Sequence, residues 1–120
     1  MSMTIQEFYT AIGGDYDDIM RRLRSERTVR KFLKRFQDDK TFESLKAALA
    51  DENQPEAFRA AHTLKGLGLN LGFPKLTDAG ERLTEAVRTQ LTPEAAPLFE
   101  EVQTVYAETM ETIGQVDMTE

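Results

Sequence analysis

The chain has one histidine, His62, in the run Ala60-Ala61-His62-Thr63-Leu64-Lys65-Gly66-Leu67-Gly68-Leu69-Asn70-Leu71-Gly72. A single imidazole cannot build a histidine metal cluster or an acid–base pair of histidines. Alone, it can act as a nucleophile and hold a group covalently. Lys65 and Gly66 follow three and four residues on, so both lie beside the imidazole if the segment is helical. A tetrahedral phosphoryl group needs charge stabilisation and room, and these two residues offer an ammonium and a gap. Gly66 and Gly68 together cost a helix roughly 2 kcal/mol relative to alanine, so each calls for a reason. Gly68 falls on the core side, where it permits close approach of another helix. Gly66 points away from the core, one turn above His62, where a side chain would crowd the ring.

Those positions presuppose a helix over 54–71. At about 100° per residue, Ala57, Ala61, Leu64, Gly68 and Leu71 fall within about 60° of one direction, the core stripe. His62 lies roughly 120° from the centre of that stripe, on a flank shared with Phe58, Lys65, Gly66 and Leu69. It is expected near the surface, with a cation and an apolar collar beside it. Phe58 and Leu69 are candidate partner anchors, and Phe58 suits the core edge equally well.

The elements that must hold this helix all read with the helical period, and alternating β-branched runs are absent. Thr4 can cap a short helix bearing Ile5, Phe8, Tyr9 and Ile12, ended by Gly13-Gly14. Asp15 caps a second, with Asp17 and Asp18 in its first turn. Ser25 is a cap or a kink before Val29, Phe32, Leu33 and Phe36, and Thr41 can cap a continuation through Phe42, Leu45, Ala48 and Leu49. One bent helix and two helices both fit residues 26–50. Asn53 with Pro55 and Glu56 starts the His62 helix, and Gly72-Phe73-Pro74 stops it. A helix over 75–90 follows, with Leu76, Ala79, Leu83, Ala86 and Val87 inward. Thr92-Pro93-Glu94 then signals the start of a last helix that buries Leu98, Val102, Val105, Thr109 and Ile113 and stops at Gly114. Short connections imply antiparallel neighbours. The expected fold is all-α, an antiparallel up-and-down four-helix bundle with one or two additional short N-terminal helices. Residues 1–120 form one domain: a helical extension over 1–25, the bundle over 26–113, and a tail over 114–120 expected to fray.

A chain of 120 residues can bury about two-thirds of its unfolded surface, and 40% hydrophobic with 30% charged residues is an ordinary globular composition. Without cysteine, disulfides and thiolate ligands are excluded. No apolar stretch approaches the ~20 residues of a membrane span, and no signal-peptide pattern opens the chain, so a cytoplasmic protein without membrane contact is expected. The net charge of −6 argues against nucleic-acid binding, but the charge is unevenly placed. Residues 21–40 hold nine of the fifteen basic side chains: Arg21, Arg22, Arg24, Arg27, Arg30, Lys31, Lys34, Arg35 and Lys40. From Thr92 onward there are seven acids and no Lys or Arg. Two helix faces of opposite sign that attract when packed together is the favoured reading. A docking or nucleic-acid stripe is the other.

The run His62-Thr63-Leu64-Lys65-Gly66 with Leu71-Gly72 resembles the signature of the histidine-containing phosphotransfer (HPt) family of two-component phosphorelays. Leu83-Thr84-Glu85-Ala86-Val87-Arg88 is similar to the family's next helix, which ends in a basic residue, and the likeness extends over about 26–113. The resemblance implies a four-helix bundle and a phosphoprotein with His62 phosphorylated at Nε2. It assigns Lys65 to stabilising the phosphoryl group, Gly66 to leaving it space, and Arg88 to a weaker contact with phosphate or partner. Leu67-Gly68-Leu69-Asn70 departs from the family's small, Ser- and Ala-rich stretch, and Thr84 stands where a longer polar side chain is usual. The expected function is a phosphoryl carrier. It would take the group from a receiver-domain aspartate or a histidine kinase system and pass it to another receiver aspartate. Partners would be receiver domains of a hybrid sensor kinase or response regulator. No Gly-rich nucleotide loop or kinase motif set is present, so ATP use is not expected. No cofactor is expected on this chain, and Mg²⁺ is expected on the receiver. A monomer is anticipated, and the starting Met with a single domain suggests a free-standing shuttle. The alternative is a helical adaptor that binds receivers without carrying phosphate.

Overall fold

A computed structural model describes residues 2–119, so Met1 and Glu120, the outermost positions of the expected extension and tail, lie outside the described residues. Seven helices appear among the described residues. They are α1 (Ile5–Ala11), α2 (Tyr16–Leu23), α3 (Glu26–Asp38), α4 (Thr41–Ala50), α5 (Gln54–Leu71), α6 (Pro74–Ala86) and α7 (Ala95–Ile113). The fold is all-α, as expected. Helices α4, α5, α6 and α7 make the bundle, α5 and α6 being the most closely packed pair, and α3 leads into it. Helices α1 and α2 are the two short N-terminal additions.

Most helix starts follow from side-chain chemistry. Thr4 and Glu7 form a reciprocal capping box, and Asp15, Ser25 and Asn53 accept from the backbone N–H groups of Asp18, Thr28 and Glu56. Ser25 is thus a cap rather than a kink. Residues 26–50 form two helices, because Asp39 turns extended (ψ 139°) and its carboxylate takes the N–H of Thr41 at 2.8 Å. Thr41 is the first residue of α4 and not its cap; Lys40 holds the cap position, and Asp39 before it supplies the side-chain acceptor. Thr92 does not cap α7 either: its carbonyl, rather than its hydroxyl, accepts from Ala95, and the helix starts three residues later than Thr92. Helix α6 stops at Ala86 instead of residue 90. Gln54 explains the early stop, because its side-chain amide donates to the carbonyls of Val87 (2.8 Å) and Arg88 (2.9 Å) and satisfies that end.

The core follows the expected stripes closely. Ala57, Ala61, Leu64, Gly68 and Leu71 of α5 face Leu76, Ala79 and Leu83 of α6, Leu45 of α4, and Val102 and Ile113 of α7, all buried. Ala86, Leu98 and Val105 are only half-buried. The extension is bound to the bundle by rings. Phe73, in the α5–α6 turn, packs edge-on against Phe8 (5.9 Å) and Phe36 (5.3 Å), and Phe8 meets Tyr9 at 5.0 Å. Phe42 of α4 stacks on Tyr106 and Phe99 of α7.

Two expectations are corrected at the chain's ends. Residues 115–117 of the tail are tied down: Met3 and Val116 form a parallel bridge, with Met3 N donating to Gln115 O and Asp117 N to Met3 O, and Val116 is buried. Among the described residues, several ion pairs of the basic segment lie within its own helices and not against the acidic last helix. Arg21 and Arg22 pair with Asp18, Arg30 with Glu26 and Lys40 with Glu43, all within one turn. Glu101 of α7 pairs with Arg82 of α6, and Arg30 donates to the carbonyl of Asp117 in the tail, its charge also favouring the Asp117 carboxylate. Local partners are nearer in space, so they win.

The buried hydroxyl of Tyr9 donates to the carbonyl of Leu71 at 2.7 Å, and burial pushes its ionisation above the ordinary 10.0, the Arg22 charge opposing. A phenol held neutral in the fold adds stability that is complete below pH 10.0. That stability is lost as rising pH ionises the unfolded chain first. Tyr9→Phe should cost about 1–2 kcal/mol at pH 7 and flatten the loss of stability above pH 10.0. Urea unfolding of both proteins at a series of pH values measures both effects.

Candidate functional site

Helix α5 is set at both ends by short-range chemistry. Asn53 caps its start with Pro55 in the first turn, and Gly72 closes it in the left-handed conformation (φ 76°) with Phe73 N donating to Gly68 O. Its core stripe is buried, which turns His62 outward on the exposed flank. Phe58, one turn earlier and half-buried, lies under the imidazole with ring centroids 6.0 Å apart and planes inclined by 19°. The Arg88 guanidinium sits over the Phe58 ring, 5.2 Å from its centroid. His62, Phe58 and Arg88 therefore form one row. Arg88 enters it from the chain just beyond α6, where Gln54 holds its carbonyl.

On the other side of His62 stand Lys65 and Gly66. A methyl group built at Gly66 would meet no atom within 4 Å, so the space beside the imidazole is open. Lys65 is less free than its sequence position suggests. Its Nζ lies 2.6 Å from Glu81 Oε2 of α6, with the lysine side chain 25% exposed. The stem is held too: a Cβ at Gly80 would come within 3.2 Å of Lys65 Cα and Cβ, so α5 and α6 approach almost backbone to backbone there. Gly68 makes the same kind of contact one turn on, against Thr77 Oγ1 and N.

Arg88 is likewise paired, its Nε 2.7 Å and Nη2 3.0 Å from the two carboxylate oxygens of Glu85. Those hydrogen bonds hold the Glu85 carboxyl below the usual carboxylate range, with the charge of Lys65 adding to the effect. Thr84, the position that departs from the family pattern, is buried and donates to the Gly80 carbonyl, so it faces the core and not His62. Leu69 is 59% exposed and is the one exposed large hydrophobic among the described residues. It borders an open groove of about 790 Å³ that runs between Asp18 and Arg22 of α2 and Thr77 and Asp78 of α6.

All six residues singled out from the sequence are placed on or against one flank of α5. Missing from that reading were Glu81, Glu85, Gly80 and Gln54. The first two were visible in principle, since Glu81, Glu85 and Arg88 recur at i, i+4 and i+7 and share one face of the α6 pattern. Gly80 and Gln54 act across helices, which spacing along the chain does not report. Among the described residues no three His, Asp or Glu side chains are placed to hold a metal ion, and no helix is long and apolar enough to cross a membrane.

The two glycine environments predict opposite stability effects. Gly66→Ala meets nothing and should stabilise by about 1 kcal/mol through helix propensity. Gly80→Ala must push α6 away from the Lys65 backbone and should destabilise by about 1–3 kcal/mol in spite of the same propensity gain. Thermal or denaturant unfolding of the two variants decides both signs.

Comparison with known families agrees with the helical fold. The family model of the Hpt domain matches residues 28–112, from the first turn of α3 almost to the end of α7, leaving α1 and α2 outside the match. No curated protein and no solved structure matches the chain. With well over half of its length matched, the chain belongs to the Hpt domain family, the histidine phosphotransfer carriers of phosphorelays.

Proposed function

We propose that this protein carries a phosphoryl group on Nε2 of His62 between receiver-domain aspartates. The observation that carries the reading is the surroundings of His62: an exposed imidazole aligned by the Phe58 ring, open space at Gly66 and an ammonium one turn away. In the forward step the Nε2 lone pair attacks the phosphorus of a receiver's aspartyl phosphate in line. The P–N bond forms as the P–O bond to the carboxyl breaks, and the aspartate leaves as carboxylate with the electron pair. The proton on Nδ1 stays in place throughout. Transfer to a second receiver is the reverse of this step.

In this scheme the chain contributes a positioned nucleophile, and Phe58 keeps the ring plane fixed so that little orientational freedom is lost on attack. Lys65 and Arg88 supply positive charge at the rim. Mg²⁺ bound by the receiver would supply the main stabilisation of charge on the transferring group. Leu69, exposed beside the site, is the apolar anchor for the docked receiver. Receivers of a sensor kinase and a response regulator would be the partners, met by a monomer in the cytoplasm.

Incubation with a phosphorylated receiver should place acid-labile, alkali-stable label on the wild type and none on His62→Gln. Undiminished labelling of that variant would overturn the carrier reading, and receiver binding without label on the wild type would assign an adaptor instead. Gly66→Gln should fold, since nothing occupies the space, yet accept the group at least about tenfold more slowly by obstructing the approach.

Leu69→Ala separates docking from chemistry. Its stability should change by less than about 0.5 kcal/mol because the side chain is mostly exposed. Transfer from a receiver should slow several-fold, while labelling by the small donor phosphoramidate stays at the wild-type rate. Equal slowing with both donors would show that Leu69 serves the chemistry and not the partner.

A further inference from the structure

Both cations beside His62 are already engaged by carboxylates on one face of α6: Lys65 by Glu81 at 2.6 Å, and Arg88 by Glu85 through two hydrogen bonds. Building on the carrier reading, we propose that Glu81, seconded by Glu85, is a counter-charge that keeps the phosphoryl group on His62 loosely held and therefore transferable. The two carboxylates are positioning residues; they act through Lys65 and Arg88.

The structure supports this in three ways. First, the base of Lys65 lies against Gly80, where α5 and α6 run close together, and its ammonium reaches Glu81 at 2.6 Å. The incoming group therefore competes with Glu81 for the ammonium. A lysine ammonium has three N–H donors, so sharing is possible, but the phosphoryl group then faces an ion pair and not an isolated cation. Second, Arg88 is fixed over Phe58 by Glu85 on one side and by Gln54, which holds its carbonyl, on the other, so its guanidinium is equally compensated. Third, the two cations are matched one to one by carboxylates of α6, Lys65 by Glu81 and Arg88 by Glu85. A phosphoryl group brings about −1.5 to −2 at pH 7. It meets cations that are already paired, as suits a carrier that must surrender its cargo. A site built to retain the group would leave Lys65 unpaired.

The test uses the full chain and a donor that needs no receiver. With phosphoramidate and ammonia held at a fixed ratio, His62 takes the phosphoryl group as the donor's P–N bond breaks and ammonia leaves. The equilibrium ratio of phosphohistidine to free histidine is then read by ³¹P NMR. Glu81→Gln keeps shape and helix propensity while removing the charge. It should raise that ratio about threefold at low salt, in line with the strength of partly exposed ion pairs, and Glu85→Gln should raise it less. The gain should shrink in high salt and vanish in Lys65→Ala/Glu81→Gln measured against Lys65→Ala. An unchanged ratio in Glu81→Gln would overturn the proposal, and so would an equal gain in the Lys65→Ala background, which would mean Glu81 does not act through Lys65. A wild type that takes no label under these conditions would instead remove the carrier reading itself. Unchanged melting temperatures of the Gln variants exclude a structural origin of any shift.

Discussion

The close approach of α5 and α6 is the constraint on which the rest of this structure depends. At Gly68 and Gly80 the two helices come so close that a single added methyl group would press on Thr77 or on Lys65. That distance brings Lys65 within a hydrogen bond of Glu81 and sets the rotation of α5 that leaves His62 outside. Loosening it would free the lysine and blur the orientation of the imidazole together. Interiors are close-packed, and a change of one methyl group at such a contact is felt along both helices.

The helix that carries His62 is clamped at its two ends by long-range hydrogen bonds from side chain to backbone. At the start, Gln54 donates to the carbonyls of Val87 and Arg88. At the finish, Tyr9 and Arg22 of the N-terminal extension donate to the carbonyls of Leu71 and Asn70. The extension lies outside the family match, yet it satisfies the last turn of the central helix and covers Phe73 with its own rings. Its place in the molecule is thus mechanical as much as additive. The groove beside Leu69 exists because α2 comes this close.

Charge is organised locally. Arg21, Arg22, Arg30 and Lys40 of the basic segment find acids within a turn, and Glu101 of α7 is met by Arg82 of α6. Around His62 the same economy appears, with each cation matched by a carboxylate one helix away or one turn away. The net result is a nucleophile beside paired charges, fixed by stacking and packing more than by field.

Much of this was legible beforehand, and the boundary has a physical cause. Helix periodicity, caps at Thr4, Asp15, Ser25 and Asn53, and the stop at Gly72 depend on residues within a turn of one another, so one strand of text contains them. The same holds for the outward placement of His62 and for the proximity of Lys65 and Gly66. Asp39 as the acceptor at the start of α4, the early end of α6 and the bridged tail were not legible in that way. Each is decided by a donor or acceptor that competes locally or arrives from a distant segment: the Asp39 carboxylate, the Gln54 amide, the Met3 backbone. By itself, then, the sequence determined a helical bundle bearing one exposed nucleophilic histidine with an ammonium and a gap beside it. Only the tertiary structure decided that the ammonium is shared with Glu81 and that Arg88 lies over Phe58. Those contacts exist because two glycines let α6 come close enough to answer the charges of α5.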